Sequence, residues 1–100
     1  MYPFRGKISG TVDSVSQDLP MLIEGFTLAN MTGGTIGCNV YMLFNSQLVA
    51  VAPNNLQLAT AEMYEATNKI VMRPTEQIRL VTTGMVDYDF AISNLKPDEV

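Results

Sequence analysis

Two carboxylates, Asp87 and Asp89, come closest in type and spacing to a chemical site in this chain. They lie within Val86-Asp87-Tyr88-Asp89-Phe90-Ala91-Ile92, where apolar residues alternate with polar or small ones. An extended backbone there projects both acids from one face, about 6.6 Å apart by the rise per residue. That separation suits the acid and base of an inverting glycosidase, and with added carbonyl oxygens it suits Ca²⁺. The plainer reading, and the one we expect, is a solvated outer strand face whose charges resist unwanted sheet stacking. Asp13, Asp18 and Glu24 have no recognisable metal-ligand spacing.

The chain has no histidine, so the commonest general base and metal ligand and the usual triads are missing. Cys38 would need an electropositive, partly exposed setting to act as a nucleophile, yet it shares a strand face with Ile36, Val40, Met42 and Phe44. A core cysteine is expected there. Gly33, Gly34 and Gly37 would need a following helix to cradle a phosphate, and a strand pattern follows instead, which makes them turn glycines. The expectation is a non-enzyme with no catalytic, metal-binding or cofactor-binding residue.

The elements that would position these residues are strands. Ile36 to Phe44 and Val86 to Ile92 alternate most clearly, and Ile8 to Val15, Met21 to Met31, Gln47 to Ala52, Lys69 to Met72 and Gln77 to Val81 follow the same period. Thr32-Gly33-Gly34, Asn45-Ser46, Pro53-Asn54-Asn55, Arg73-Pro74-Thr75 and Thr83-Gly84 are read as the turns between them. Gln57 to Lys69 competes for helix, with Glu65 four residues before Lys69, but Thr60, Thr67 and a weak apolar stripe favour loop plus strand. The fold class expected is all-β: a compact antiparallel β-sandwich, jelly-roll or immunoglobulin-like, of seven or eight short strands with at most one short helix.

One hundred residues fit a single domain over 1–100, and its mass implies roughly 5,600 Å² of folded surface. The net charge of −4, with six scattered Lys and Arg residues, argues against nucleic-acid binding. One cysteine provides no intramolecular disulfide, and a reducing compartment is the simpler reading. The start lacks the apolar stretch of a signal peptide, and the longest apolar run, Val40 to Phe44, is too short for a membrane helix, so a soluble, unprocessed chain with no membrane partner is expected. Asn30-Met31-Thr32 matches a glycosylation acceptor but has no secretory signal to support it.

Only 16% of residues are charged while 47% are hydrophobic, which points to apolar surface covered by another protein chain. Tyr2, Phe4 and Arg5 are of types enriched in interface hot spots and flank Pro3, which limits regular pairing. Residues 1–7 therefore read as a docking arm and 96–100 as a short C-terminal tail. A ligand-binding sandwich is the rival reading, with carbohydrate held by Tyr41, Tyr64 or exposed Asn side chains; an enzyme built on Asp87 and Asp89 is the third.

Four segments carry a resemblance: Gly25-Phe-Thr-Leu-Ala-Asn-Met-Thr-Gly-Gly34, Asn39-Val-Tyr-Met-Leu43, Lys69-Ile-Val-Met-Arg-Pro-Thr-Glu-Gln-Ile-Arg-Leu80 and Thr83-Gly-Met-Val-Asp-Tyr-Asp-Phe-Ala-Ile92. Together, from Gly25 to Leu95, they resemble small β-sandwich structural proteins of tailed-bacteriophage virions. The resemblance implies a multi-copy capsid decoration or minor capsid component, or alternatively a neck or tail component. It implies virion localisation after synthesis in the host cytoplasm, and partnership with major capsid, neck or tail proteins and with further copies of itself. It implies no enzymatic activity and transfers no functional residue.

Overall fold

The alternating segment 36–44 folds as a strand whose even residues are inward and whose odd residues face out, as side-chain periodicity requires. A computed structural model describes residues 2–14, 18–53 and 55–94, and describes side chains from Phe4 onward. It contains eight strands: β1 (Tyr2–Asp13), β2 (Met21–Asn30), β3 (Ile36–Phe44), β4 (Gln47–Ala50), β5 (Leu56–Leu58), β6 (Met63–Ala66), β7 (Ile70–Met72) and β8 (Gln77–Asn94). Every pairing is antiparallel, and no helix occurs among the described residues. The fold is all-β and sandwich-like, a curled sheet around one core. Residues 57–69 form the end of β5, a turn and β6, with no helix.

Strand β8 organises the molecule. Its first part, Gln77 to Thr82, pairs with β3, and its second, Val86 to Asn94, pairs with β2. Along its other side runs β1, opposite both parts. Eighteen residues of straight strand would extend about 60 Å, whereas the longest dimension of the molecule is 44 Å. Strand β8 must therefore bend, and the sheet curls with it. The bend falls where Thr83, Gly84 and Met85 lie between the paired residues Thr82 and Val86, opposite Ser9 of β1.

This corrects the reading of Thr83-Gly84 as a turn between two strands: β8 is continuous through it. The glycine is needed for close approach, since a Cβ on Gly84 would meet Ile36 Cγ2 at 2.7 Å. The outer edge of β3 is covered by β4 and then β5, and the outer edge of β2 by β7 and then β6. Inward residues of β1, β2, β3, β5, β7 and β8 form one core, with Tyr64 and Ala66 of β6 packed against it, and within it the ring of Phe90 lies 4.7 Å from that of Phe26 and 5.1 Å from that of Phe4. The accessible surface of 5771 Å² is close to the value expected from chain mass.

Two four-residue turns, one between β5 and β6 and one between β7 and β8, share one construction. In Arg73-Pro74-Thr75-Glu76 the Glu76 N–H donates to the Arg73 carbonyl, while Glu76 Oε1 accepts the Arg73 N–H. In Ala59-Thr60-Ala61-Glu62 the Glu62 N–H donates to Ala59 O and Glu62 Oε1 accepts the Ala59 N–H. Each turn places its third residue at positive φ, Thr75 at 71° and Ala61 at 63°. Glycine is the residue suited to that position, and a β-branched side chain is the least suited. Replacing Thr75 with glycine relieves the strain but loosens the unfolded chain, so Thr75→Gly should gain about 1 kcal/mol net. A raised urea midpoint at unchanged slope is the expected readout; an unchanged or lowered midpoint would show that Thr75 is not strained.

Candidate functional site

The outer face of β8 and β1 holds the acids singled out above. The register sets Asp87 opposite Lys7 and Asp89 opposite Arg5. Lys7 Nζ donates to Asp87 Oδ1 at 2.8 Å, and Arg5 Nε lies 3.5 Å from Asp89 Oδ1. Each carboxylate is thus matched with its own cation on the surface, and the four side chains line a shallow depression of about 290 Å³. No cluster of three or more potential metal ligands occurs among the described residues. What this arrangement does chemically is neutralise a sheet face.

The docking-arm reading of residues 1–7 needs correction. Residues 2–8 pair residue by residue with β8, and Phe4, 6% exposed, packs its ring against Phe90 and Tyr88. Burying that ring in the chain's own core is favourable by about 2 kcal/mol, so Phe4 anchors the fold instead of a partner. Arg5 faces outward. The backbone of Tyr2 lies opposite Ile92, while its side chain falls outside the described residues, as do the backbones of Met1 and the 96–100 tail.

Tyr41 and Tyr64 are not brought together. Tyr41 lies on the outer face of β3, opposite Ala50 and Arg79, whereas the ring of Tyr64 sits 6.0 Å from that of Phe26 at the margin of the core. A cleft of about 660 Å³ involves neither. It opens between the β3–β4 hairpin and the 73–76 turn, with Met42, Phe44, Val49 and Ile70 as apolar walls and Arg73 and Glu76 at its rim. Cys38 is fully buried, as expected from its strand face, and burial pushes its thiol pKa up, away from the reactive thiolate.

A third feature was not visible in residue types: the long edge of β1 opposite β8 pairs with no strand among the described residues. The chain orients its backbone groups there consistently. Gly10 N–H donates to Thr82 Oγ1, Ile8 O accepts from Thr82 Oγ1, and Ser14 N–H donates to Ile78 O. Even-numbered residues of β1 thus turn their backbone groups toward β8. By the alternation of an antiparallel ladder, Arg5, Lys7, Ser9, Thr11 and Asp13 turn theirs to the open edge. Pro3, which has no N–H, falls in that same outward-turned series, where an edge strand tolerates it.

Asp13, at the end of this edge, takes a two-pronged contact from Arg79, with Nε to Oδ1 at 2.8 Å and Nη2 to Oδ2 at 3.0 Å. The hydrogen bonds from Arg79 hold its carboxyl below its ordinary pKa. Because the folded value lies below the unfolded one, the pair's contribution is complete above the ordinary carboxylate range. It is lost as pH falls through the depressed folded value. Asp13→Asn should therefore lower stability by less than about 1 kcal/mol at neutral pH, given the pair's partial exposure, and by nothing at acid pH. Urea unfolding of both proteins across acid and neutral pH checks this; a difference that persists at low pH would assign the effect to something other than the ion pair. No protein family matches this chain, and no curated protein is significantly similar to it in sequence.

Proposed function

We propose that this chain is a structural protein of a tailed-bacteriophage virion, a multi-copy capsid decoration or minor capsid component that acts through protein–protein assembly. The observation that carries this reading is the apolar character of the exposed surface. Val49 and Val71 stand open around the large cleft, Leu48 stands open next to Val49 on β4, and Met31, Met63 and Met85 stand open on the outer faces of β2, β6 and β8 or just beyond their ends. With 16 charged residues in 100, the chain has few means of keeping such surface solvated, and a covering protein is the physical remedy. Methionine suits it, because an unbranched thioether adapts to irregular contacts. The bacteriophage assignment itself rests on the sequence resemblance.

Quantifying the chain against the major capsid protein in purified particles tests the reading. Many symmetry-related copies support decoration of the shell, whereas a few copies would move the protein to the neck or tail. Absence from the particles would sink the virion reading. The cleft of about 660 Å³ favours one alternative, a ligand-binding module, since its volume falls within the range of small-molecule sites. Saturable glycan or small-molecule binding that is lost on substitution of Arg73 would support that alternative.

A further inference from the structure

We propose that the open edge of β1 pairs with the same edge of a second copy of this chain, antiparallel about a two-fold axis through Ser9. This rests on the assembly reading above and names its first partner.

The edge is self-complementary in hydrogen bonding. The residues whose backbone groups face outward are Arg5, Lys7, Ser9, Thr11 and Asp13, a set symmetric about Ser9. Pairing about that residue sets Arg5 against Asp13 of the second copy, Lys7 against Thr11, and Ser9 against itself. Every outward N–H and C=O of the five then finds a partner. Pro3, the outward-turned position with no donor, falls beyond Arg5 at the end of this ladder.

The edge is also self-complementary in charge. The outward side chains run Arg5, Lys7, Ser9, Thr11, Asp13, positive at one end and negative at the other. An antiparallel copy brings opposite ends together, so a row of alternating charge crosses the junction: Asp89, Arg5, then Asp13 and Arg79 of the second copy. Centring the axis on Lys7 instead opposes two lysines, and centring it on Gly6 opposes Arg5 to Lys7. Half-step registers pair outward with inward side chains and are excluded by the pleat.

Curvature permits the match. The irregularity of β1 against β8 lies between Ile8 and Gly10, around Ser9, and Gly10 adopts a φ of 112°. A two-fold axis along the local sheet normal maps a strand bent at that point onto one bent the same way. Both parts of the curled sheet therefore continue into the partner.

Sedimentation equilibrium of the intact protein should give twice the chain mass in the micromolar range. A Ser9→Cys protein should be cross-linked to a dimer by a short thiol-bridging reagent, because facing α-carbons in a hydrogen-bonded pair lie about 5.5 Å apart. A Lys7→Cys protein should not, since its two thiol-bearing positions are about 14 Å apart in this register. Arg5→Asp should weaken the dimer at least tenfold, and adding Asp13→Arg should restore it. A monomer throughout the concentration range, equal cross-linking at both positions, or a dimer indifferent to Arg5→Asp would overturn the inference. A monomer found in purified particles would sink this inference and leave the virion reading standing; a dimer missing from them would do the reverse.

Discussion

Asn30→Ala should destabilise the protein by about 3–5 kcal/mol, a large share of the roughly 5–15 kcal/mol that a domain has. The side chain of Asn30 is 3% exposed and connects three segments. Its Nδ2 donates to the carbonyls of Gly34, Leu58 and Ala59 at 2.7, 2.9 and 3.0 Å, and its Oδ1 accepts from Thr32 N–H and Thr32 Oγ1 at 2.8 Å each. Alanine takes this donor from the buried Leu58 carbonyl and this acceptor from Thr32 N–H, whereas Gly34 O keeps Thr32 Oγ1 and Ala59 O keeps Glu62 N–H; each group left unpaired inside costs more to abandon than it contributed when bonded. Asn30→Asp separates donor from acceptor: it keeps the bonds from Thr32 but turns a carboxylate on three carbonyl oxygens. Its loss should be as large at neutral pH and should shrink on acidification, when the carboxyl regains a proton to donate. Urea unfolding at two pH values reads both, and an Asn30→Ala loss under 1 kcal/mol would show that the bracket is not structural. The same geometry commits the only nitrogen that glycosylation of Asn30-Met31-Thr32 could use.

Gly25→Val should cost about 3 kcal/mol, more than Gly84→Ala, although a Cβ at either site would meet a neighbour at 2.7 Å. The neighbours differ in kind. At Gly25 the obstacle is the carbonyl oxygen of Ala66, part of the backbone of β6, at the point where β2 exchanges β7 for β6 as its neighbour. At Gly84 it is the Cγ2 methyl of Ile36, a buried side chain that must shift while the backbone stays in place. Valine at position 25 must push β6 from the edge of β2, whereas alanine at position 84 should cost about 1 kcal/mol. Unfolding midpoints rank the two; equal losses would mean that the β6 backbone yields as readily as a side chain.

The strands that were legible from residue types are those with one dry and one wet face. Cys38, Val40 and Met42 are buried while Asn39 and Tyr41 are partly open, and Val86, Phe90 and Ile92 repeat the pattern. The start of β1 was hidden because its inward series reads Phe4, Gly6, Ile8, Gly10, Val12, with glycines interrupting the apolar period. Structural demands put them there: a Cβ on Gly6 would come within 3.2 Å of Tyr88 Oη, and Gly10 takes the positive φ of the bend. In β2 the irregularity between Ile23 and Gly25 shifts the inward set from odd to even residues, which no fixed period captures. Gly84 looked like a turn because glycine usually marks one, although here it admits Ile36. As for the candidate sites, Asp87 and Asp89 were visible as a pair of acids, but Lys7 and Arg5 lie some eighty residues away. Their roles emerge only from the register of β1 on β8.

The order of synthesis gives the bent strand a further consequence. Strands β1, β2 and β3 all find their principal partner in β8, which leaves the ribosome after every one of them. A nascent chain of seventy residues holds β3 with β4 and β5, and β2 with β6, but nothing that joins these pieces or pairs with β1. Contacts this distant along the chain are slow to form, and unpaired strands are prone to join neighbouring chains meanwhile. Protease resistance in ribosome-stalled chains should therefore appear in one step as Asn94 clears the exit tunnel, with no earlier protected intermediate.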